Sequence, residues 1–423
     1  MALAAAVLTV GGGLAALAAV AGTDAHRSQH LTSRGGPAAT RDVPPQSATV
    51  GPYAAPLSPG STLSATATTT AGQGPRAAAS SHGTSAAAGP SAAVATAPSL
   101  SRTFVAPLHT SGNRIYDATN KPILLSGIFR NGLEGNDTTN LTDDDIGHAK
   151  RWGANLIRLP LGEQLWLANS CNFDPSYASK VDNAVSWITG RGMVALLDLH
   201  YNTIVPCGHV GLHEMADAPN SINFWEQVAA RYKSNPLVAF DLYNEPNNIP
   251  DSVWLNGGQA SEGRTVFNAA GMQQMYDAIR GQGANNLVFA SANNWDRTFP
   301  PELLSGSNIV YPVHAYTCPH APPPNCESPT DPYQPPPYLS QWITPSQSVP
   351  VVLTEFGWPD PNDGRYNANI INFAQSHGWG WAVFEWNGRT GSEWDLVKNV
   401  GPGAAYDPTP SGMPVVTALQ GNP

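Results

Sequence analysis

The sequence predicts an α/β fold, a (β/α)8 TIM barrel, preceded by a disordered low-complexity segment at the N-terminus. Two observations predict it. Eight short apolar runs recur between residues 102 and 423, and helix-like segments separate most of them. The first 100 residues contain none of the 12 Trp and none of the 4 Cys. An open doubly wound sheet is the alternative, but the glycine-rich phosphate turn expected after its first strand is absent.

Residues 1–22 are predicted to be a signal peptide or a membrane anchor. They carry no charge and are rich in Ala, Leu, Val and Gly, and Ala19-Val20-Ala21 fits a small-residue cleavage pattern. An uncleaved stretch of this length is long enough to remain in a bilayer. We therefore expect a secreted or cell-surface attached protein. A disordered Ala-rich extension without a targeting role is the alternative.

Residues 23–101 are predicted to be a disordered linker. Their composition is dominated by Ala, Ser, Thr, Pro and Gly, as in Ala65-Thr-Ala-Thr-Thr-Thr70. Such a segment has too little apolar surface to offset the entropy that its chain would lose on folding. It is typical of a flexible stalk, and Ser/Thr/Pro-rich stalks are often O-glycosylated.

The charge of the chain restricts its partners. The full sequence has 21 basic and 31 acidic residues, a net charge of −10. The part after residue 100 has 17 basic and 29 acidic residues, a net charge of −12. Nucleic-acid binding requires a basic patch that neutralises phosphates, so it is disfavoured. A neutral partner suits this charge, and we expect a monomer.

The cysteines agree with export into an oxidising compartment. They are Cys171, Cys207, Cys318 and Cys326, which allow three pairings. A local bridge between Cys318 and Cys326 is the simplest arrangement, and it would leave Cys171 to pair with Cys207. A zinc site is the alternative, but the chain has no Cys-x-x-Cys spacing.

The strands and helices are predicted from apolar periodicity and capping signals. Near-continuous apolar runs such as Met193–Leu197 suit strands that are buried on both faces. The eight predicted strands are Ile123–Ile128, Asn155–Leu161, Met193–Leu199, Leu237–Tyr243, Asn286–Ala290, Asn308–Val313, Val349–Thr354 and Trp379–Phe384. The predicted helices are Ile146–Trp152, capped by Thr142, then Tyr177–Gly190, Ile222–Ser234, Gly271–Gly281 and Ala368–His377. The fifth and sixth connections are dominated by Pro and give no clear helix.

Polar side chains gather where the predicted strands end. In a barrel, reactive groups lie at these carboxyl ends. Glu245 follows the fourth strand and Glu355 follows the seventh, so they would face each other across the barrel mouth. Two opposed carboxylates are what cleavage of a glycosidic bond needs, one as a proton donor and one as a nucleophile or base.

At this point the sequence resembles glycoside hydrolase family 5, the cellulase family, within the clan of retaining (β/α)8-barrel glycosidases. The resemblance covers roughly residues 105–420 and identifies 102–423 as the catalytic domain. Its most specific motifs are Asn244-Glu245-Pro246, Thr354-Glu355-Phe356-Gly357 and the segment around Arg158.

The resemblance implies a role for each matched residue. Glu245 would be the general acid/base, and Glu355 would be the nucleophile of a double displacement. Asn244 would bind the 2-hydroxyl of the sugar, and Arg158 and Tyr316 would hold Glu355 ionised. His200 and His314 would line the same subsite, and Trp386 would offer the sugar a flat apolar face. No metal and no cofactor is implied.

Further candidates come from the strand ends and loops. Glu134, Trp295, Trp358 and Trp394 are candidates for substrate contacts, with a loop carboxylate or core packing as the alternative for each. Asp198 and Glu385 are expected to be hydrogen-bonded groups of the barrel interior. His209 and His213 have the i, i+4 spacing of metal ligands, but no third ligand is evident, so we interpret them as loop residues.

The function predicted from these residues is a secreted retaining β-glycosidase, with an endo-β-1,4-glucanase as the first choice. The same chemistry on β-mannan, another β-glucan or a glycoconjugate is an alternative, because the loops Asn247–Gly263 and Thr317–Pro337 match no subfamily. A surface carbohydrate-binding barrel without catalysis is the alternative outside enzymes. Either way, the expected partner is a neutral β-linked polysaccharide or oligosaccharide.

Overall fold

The computed structural model describes residues 100–135, 141–317, 331–358, 363–387 and 394–421. The predicted leader and nearly all of the predicted linker lie outside the described residues, as do Cys318 and Cys326. Ser101, the last residue of the predicted linker, forms a β-bridge with Ile123. The folded region therefore includes Ser101, which lies before the predicted boundary at residue 102.

The strands of the described ranges form a closed parallel barrel and two small antiparallel sheets. They are β1 (His109–Ser111), β2 (Arg114–Tyr116), β3 (Pro122–Ile123), β4 (Ser126–Phe129), β5 (Leu156–Gly162), β6 (Val194–Tyr201), β7 (Val238–Asp241), β8 (Gly258–Glu262), β9 (Thr265–Ala269), β10 (Val288–Phe289), β11 (Ile309–Ala315), β12 (Val351–Phe356) and β13 (Gly380–Val383). The barrel closes in the order β4, β5, β6, β7, β10, β11, β12, β13 and back to β4. All eight predicted strands are confirmed.

Helices follow most of the barrel strands. They are α1 (Asp143–Trp152), α2 (Glu163–Trp166), α3 (Tyr177–Thr189), α4 (Asn220–Tyr232), α5 (Asp251–Asn256), α6 (Met272–Gly281), α7 (Asn293–Asp296), α8 (Ser340–Ile343), α9 (Arg365–Ser376) and α10 (Met413–Gln420). The predicted cap is confirmed, because the Thr142 side chain accepts a hydrogen bond from the Asp145 N–H. In the Pro-rich fifth and sixth connections the helices α7 and α8 are only four residues long.

Side chains alternate between the barrel interior and the surrounding helices. On β5, Leu156 belongs to the interior cluster, whereas Ile157 and Leu159 pack in the layer between barrel and helices. On β6, Leu196 faces inward and Leu197 outward. Because the period of a strand is two residues, the residues that follow Leu156 and Leu196 by two also face inward.

A three-stranded sheet that the sequence did not predict lies at one end of the barrel. Ile115 of β2 and Ile123 of β3 pack with Leu156 and Leu196 in the interior cluster. Those two leucines lie near the starts of their strands, so this sheet covers the end at which the barrel strands begin. The opposite end, where the strands finish, carries the polar residues.

The long insertion after β7 contains structure. Its predicted range, Asn247–Gly263, holds α5 and β8, and β8 pairs with β9 in a hairpin. A disulfide joins Cys171 to Cys207, which confirms that predicted pairing. Among the helices in the described part of the chain, none has the length and apolar character that crossing a bilayer requires.

Candidate active site

The inward positions of β5, β6 and β7 bring together one cation and two carboxyl groups. Arg158 follows Leu156 by two residues, and Asp198 of β6 is directly opposite Asp241 of β7. The Arg158 guanidinium lies 3.1 Å from the Asp198 carboxyl and 3.0 Å from the Asp241 carboxyl, and all three side chains are fully buried. A charge placed here needs partners, because an unpaired buried ion is expensive.

Burial and pairing act in opposite directions on these groups. Burial raises the pKa of Asp198 to about 7 and that of Asp241 also to about 7, although Arg158 lowers both. Burial opposes the charge of Arg158, but the coulombic attraction of Asp198, Asp241 and Glu355 outweighs it and raises the Arg158 pKa. Arg158 is therefore a cation in the folded protein at neutral pH.

Glu355 reaches the site through an irregularity in the sheet. Val313 of β11 pairs with Leu353, but the next residue, His314, pairs with Glu355, so Thr354 is the extra residue of a bulge. Without the bulge, the regular pairing of the two strands would have placed Thr354 opposite His314. The Glu355 carboxylate accepts a hydrogen bond from Arg158 Nη1 at 2.9 Å and one from the Tyr316 hydroxyl at 2.7 Å. These two donors fix the orientation of the carboxylate.

Glu245 lies in the turn directly after β7. Its φ of +53° is in the left-handed region that residues other than glycine seldom adopt. The Glu245 N–H donates to Asp296 Oδ2 at 3.3 Å, and its Oε1 lies 2.8 Å from His314 Nδ1. Burial lowers the pKa of His314 to about 3, so the imidazole is neutral and the contact is a hydrogen bond between a neutral ring and the carboxyl group.

Two more predicted residues complete this cluster. Asn244 Oδ1 accepts a hydrogen bond from Arg158 Nη2 at 2.8 Å. The His200 ring lies 2.7 Å from Asp198 through Nδ1, and burial lowers its pKa. The structure therefore brings together Arg158, His200, Asn244, Glu245, His314, Tyr316 and Glu355, seven of the predicted residues.

The two glutamates are close neighbours. One oxygen of Glu245, one oxygen of Glu355 and one ring nitrogen of His314 all lie within 4.8 Å of one another. Retaining glycosidases hold their carboxyl groups about 5–5.5 Å apart, whereas inverting enzymes need roughly 6.5–9.5 Å. These two oxygens therefore lie closer together than the carboxyl groups of an inverting pair. The same three atoms have the spacing of metal ligands, although acidic groups often cluster without an ion.

Burial also affects the protonation of Glu245. Burial raises the pKa of Glu245 above the ordinary glutamate value. The charge of Arg297 opposes this shift, and its effect is the largest of those that lower the pKa. A general acid must be protonated at the working pH, so a raised pKa suits Glu245 for that role. Arg297 is 3% exposed and lies over the rings of Trp295 and Tyr338, at 5.6 Å and 5.8 Å from their centroids.

Replacing Arg297 with Met is expected to move the alkaline limit of activity to higher pH. Removing the cation raises the pKa of Glu245 further, so the proton of the general acid is lost only at a higher pH. The measurement is kcat/KM against pH. Arg280→Met is the matched control, because this half-exposed arginine lies over Tyr276 on α6, and its profile should not shift. An alkaline limit that falls, or stays within experimental error, in Arg297→Met would contradict the assignment.

The structure corrects the prediction for Trp386. Its ring is fully buried, donates a hydrogen bond to Asp145 Oδ1 at 2.9 Å and packs edge-on against Trp152. It therefore has no face to offer a sugar. Two residues earlier, Phe384 is half-buried and packs with Phe129 at 5.0 Å between ring centroids.

Three other aromatic rings pack together near the end of the barrel where the strands finish. Trp394 packs edge-on against both Phe384 and Tyr316, at 5.7 Å between ring centroids in each case. Because Tyr316 bonds to Glu355, these rings lie beside the carboxylate pair.

The remaining candidates take varied positions. Glu134 uses its carboxylate to accept hydrogen bonds from the N–H groups of Gly132 and Leu133. Its charge contributes to the raised pKa of Asp198, which lies in the site. Trp295 donates its backbone N–H to Pro246 O at 3.0 Å, which places it beside Glu245.

Other candidates serve the packing of the fold. Trp358 is half-buried between Tyr333 and Tyr366. Glu385 is buried and accepts a hydrogen bond from Asn131, in agreement with the expected interior role. Both ring nitrogens of His213 are engaged, one with Glu262 and one with the His209 carbonyl, in agreement with the loop interpretation.

Sequence reasoning missed Asp241, Asp296 and Arg297. Asp241 could have been found from the period of two residues on β7, because it lies opposite the inward-facing Asp198. Asp296 is fully buried, bonds to the Glu245 N–H, and has a pKa that burial raises well above its ordinary value. The signal for the last two was the polar run Asn293–Arg297 after the fifth barrel strand.

The sequence of the chain is similar to those of known proteins. Residues 116–390 match the family model for cellulase (glycosyl hydrolase family 5). An endoglucanase from Paenibacillus polymyxa is 26% identical over 315 residues, which are 63% of this chain and 76% of that protein. Endoglucanase 1 from Saitozyma flava is 30% identical over 176 residues, 40% of this chain and 48% of that protein. The matched region thus spans about half the length of the Saitozyma relative.

Solved structures show the same fold. The catalytic domain of Thermobifida fusca endoglucanase Cel5A matches with a TM-score of 0.55 at 18% identity, over 74% of this chain and 97% of that one. The β-glucanase SdGluc5_26A from Saccharophagus degradans, solved with cellotetraose, matches with a TM-score of 0.56 at 19% identity, over 77% and 97%.

Proposed function

Because the chain belongs to glycosyl hydrolase family 5, we propose that it is a retaining β-glycosidase that hydrolyses a β-1,4-glucan. The observation that carries the proposal is the carboxylate pair of Glu245 and Glu355, with oxygens within 4.8 Å of each other. The names of its relatives as endoglucanases support the choice of substrate. The net charge of −12 after residue 100 suits a neutral polymer.

In the proposed reaction the two glutamates exchange a proton and a glycosyl group with the substrate. The Glu355 carboxylate, held by Arg158 and Tyr316, attacks the anomeric carbon. Glu245 donates its proton to the departing glycosidic oxygen, and a covalent glycosyl-enzyme forms. Glu245, now ionised, then takes a proton from water, whose oxygen attacks the same carbon and releases Glu355. Two inversions give net retention.

Product analysis over a panel of polysaccharides tests the substrate. We expect the highest kcat/KM on β-1,4-glucan, with shortened oligosaccharides as products of internal cleavage. NMR of the reaction at early times should show the β-anomer first. Faster turnover of β-mannan or β-1,3-glucan would contradict the substrate, and an initial α-anomer would contradict retention. Binding without any new reducing ends would indicate a carbohydrate-binding barrel instead.

We also propose that the protein is exported and acts as a monomer. The uncharged leader at residues 1–22 and the Cys171–Cys207 disulfide support export. Fractionation of expressing cells should recover the protein outside the cytoplasm or on the cell surface, and retention of the full chain in the cytoplasm would contradict this. Light scattering of the purified protein measures its oligomeric state.

A further inference from the structure

The short segment α7, which follows the fifth barrel strand, has a strained backbone. Asn294, Trp295 and Asp296 have φ angles of +61°, +57° and +57°, so three consecutive residues lie in the left-handed region. This region is unfavourable for residues other than glycine, and a run of three persists only where neighbouring groups hold it in place. Strained backbone of this kind clusters at functional sites. The turn therefore has a role beyond connecting two strands.

Two hydrogen bonds join this turn to the proposed general acid and to the residue after it. The Trp295 N–H donates to the Pro246 carbonyl at 3.0 Å, and the Glu245 N–H donates to Asp296 Oδ2 at 3.3 Å. Glu245 is itself left-handed, with a φ of +53°. Two left-handed turns from different strand ends therefore hold each other in place at Glu245.

The Asp296 side chain is fixed at both of its oxygens. Oδ1 accepts a hydrogen bond from the Ala292 N–H, and Oδ2 accepts the one from Glu245. A carboxyl group keeps acceptor capacity in its protonated form as well. The side chain is fully buried, so it cannot touch a substrate and can act only through its neighbours.

Asp296 also lies close to the ring that binds the Glu245 carboxyl group. Its Oδ2 is 3.7 Å from His314 Nε2, and His314 Nδ1 is 2.8 Å from Glu245 Oε1. The Thr354 hydroxyl, 3.1 Å from the same Nε2, holds the ring from a second side. One oxygen of Asp296 thus lies behind both the backbone of Glu245 and the ring partner of its side chain.

We propose that Asp296 is a positioning residue for the general acid, which fixes the Glu245 carboxyl group where its proton reaches the departing glycosidic oxygen. The inference rests on the proposed function, because it assigns Asp296 a part in the same reaction. Without this acceptor the strained turn of Glu245 loses a restraint and can relax. A displacement of about 1 Å in a reacting group can lower a rate by about 10²-fold, so even a small relaxation matters.

The dependence of kcat/KM on the leaving group tests this role. Cleavage of cellotetraose requires a proton for the departing sugar hydroxyl, whereas dinitrophenyl β-cellobioside releases a stable phenolate that needs none. Because kcat/KM covers only the steps up to the glycosyl-enzyme, it isolates the step in which Glu245 acts as an acid. In Asp296→Asn the single carbonyl oxygen leaves one of the two N–H groups without an acceptor, while the volume is unchanged and Asn tolerates a left-handed backbone. We expect kcat/KM to fall about 10- to 100-fold on cellotetraose and less than about threefold on the dinitrophenyl substrate.

Asp117→Asn is the matched control. Asp117 is 2% exposed and lies in the turn between β2 and β3, at the opposite end of the barrel. It also accepts hydrogen bonds from backbone N–H groups, those of Val105, Thr119 and Lys121. This control should lower Tm but leave the ratio of the two kcat/KM values unchanged. If Asp296→Asn lowers both kcat/KM values by the same factor, or lowers neither, the proposal is overturned.

Asp296→Gly is a second variant for the case that far-UV circular dichroism shows Asp296→Asn to be unfolded. Glycine adopts the left-handed backbone without strain and removes both acceptor oxygens. The loss on cellotetraose should be at least as large as in Asp296→Asn, with the dinitrophenyl substrate again spared, and an equal loss on both would overturn the proposal here too. Failure of the proposed function would look different, because the unsubstituted enzyme would then hydrolyse neither substrate.

Discussion

Replacing Glu355 with Gln is expected to lower kcat on β-1,4-glucan by about 10⁴-fold or more, the scale on which loss of a nucleophile acts. The amide retains the shape of the side chain, and its oxygen can still accept a hydrogen bond from Tyr316. It cannot form the glycosyl-enzyme. The measurement is release of reducing ends. Glu226→Gln, on the exposed side of α4, is the matched control and should keep full activity.

Azide separates the nucleophile from the acid/base. In Glu355→Ala, azide can occupy the space of the missing carboxylate and attack an activated β-cellobioside directly, which gives the α-glycosyl azide. In Glu245→Ala, Glu355 still forms the covalent intermediate, and azide then attacks it to give the β-glycosyl azide. Identical anomers from the two variants, or full turnover in Glu355→Gln, would refute the assigned roles.

Replacing Arg158 with Met is expected to lower the free energy of unfolding at pH 7 by about 3–5 kcal/mol, as when one partner of a buried ion pair is removed. Asp198, Asp241 and Glu355 would then lie near one another without their shared cation. Activity should fall together with stability, because Glu355 loses one of its two donors. Urea denaturation at two pH values measures the effect.

The pH dependence of the Arg158→Met variant distinguishes electrostatics from packing. The pKa values of Asp198 and Asp241 are already raised to about 7, and loss of the cation raises both further. In the folded variant both groups are then largely protonated at pH 5 and at pH 7, whereas the carboxyl groups of the unfolded chain are ionised at both. Taking up these protons on folding costs more free energy at pH 7 than at pH 5, so the loss of stability should be smaller at pH 5. An equal loss at both pH values would indicate that the missing side-chain contacts, and not the charge, are responsible.

A surface pair provides the control for Arg158. Arg231 pairs with Asp182, and their side chains are 42% and 38% exposed. Arg231→Met should change the free energy of unfolding by no more than about 1 kcal/mol, because exposed ion pairs are weak. A loss as large as that of Arg158→Met would show that an arginine pair matters here irrespective of burial.

The sequence by itself determined the order of the barrel and most of its chemistry. Apolar runs such as Met193–Leu199 indicate strands that are buried on both faces. A residue at the carboxyl end of such a strand lies at the barrel mouth. This local rule was enough to place Glu245 and Asn244 at the mouth. It also placed Arg158 inside, since a charge within an apolar strand needs a buried partner.

Only the tertiary structure decided which way some side chains point. The bulge at Thr354 sets Glu355 beside His314, and no period of two residues foretells a bulge. Trp386 and Phe384 lie two residues apart, yet Trp386 is buried against Trp152 and Asp145 while Phe384 stands at the mouth. The partners that decide this are distant in sequence, since Asp145 precedes Trp386 by 241 positions. A sequence pattern depends on residues that are adjacent in the chain. The burial of a side chain depends on residues that are adjacent in space and can be distant in sequence.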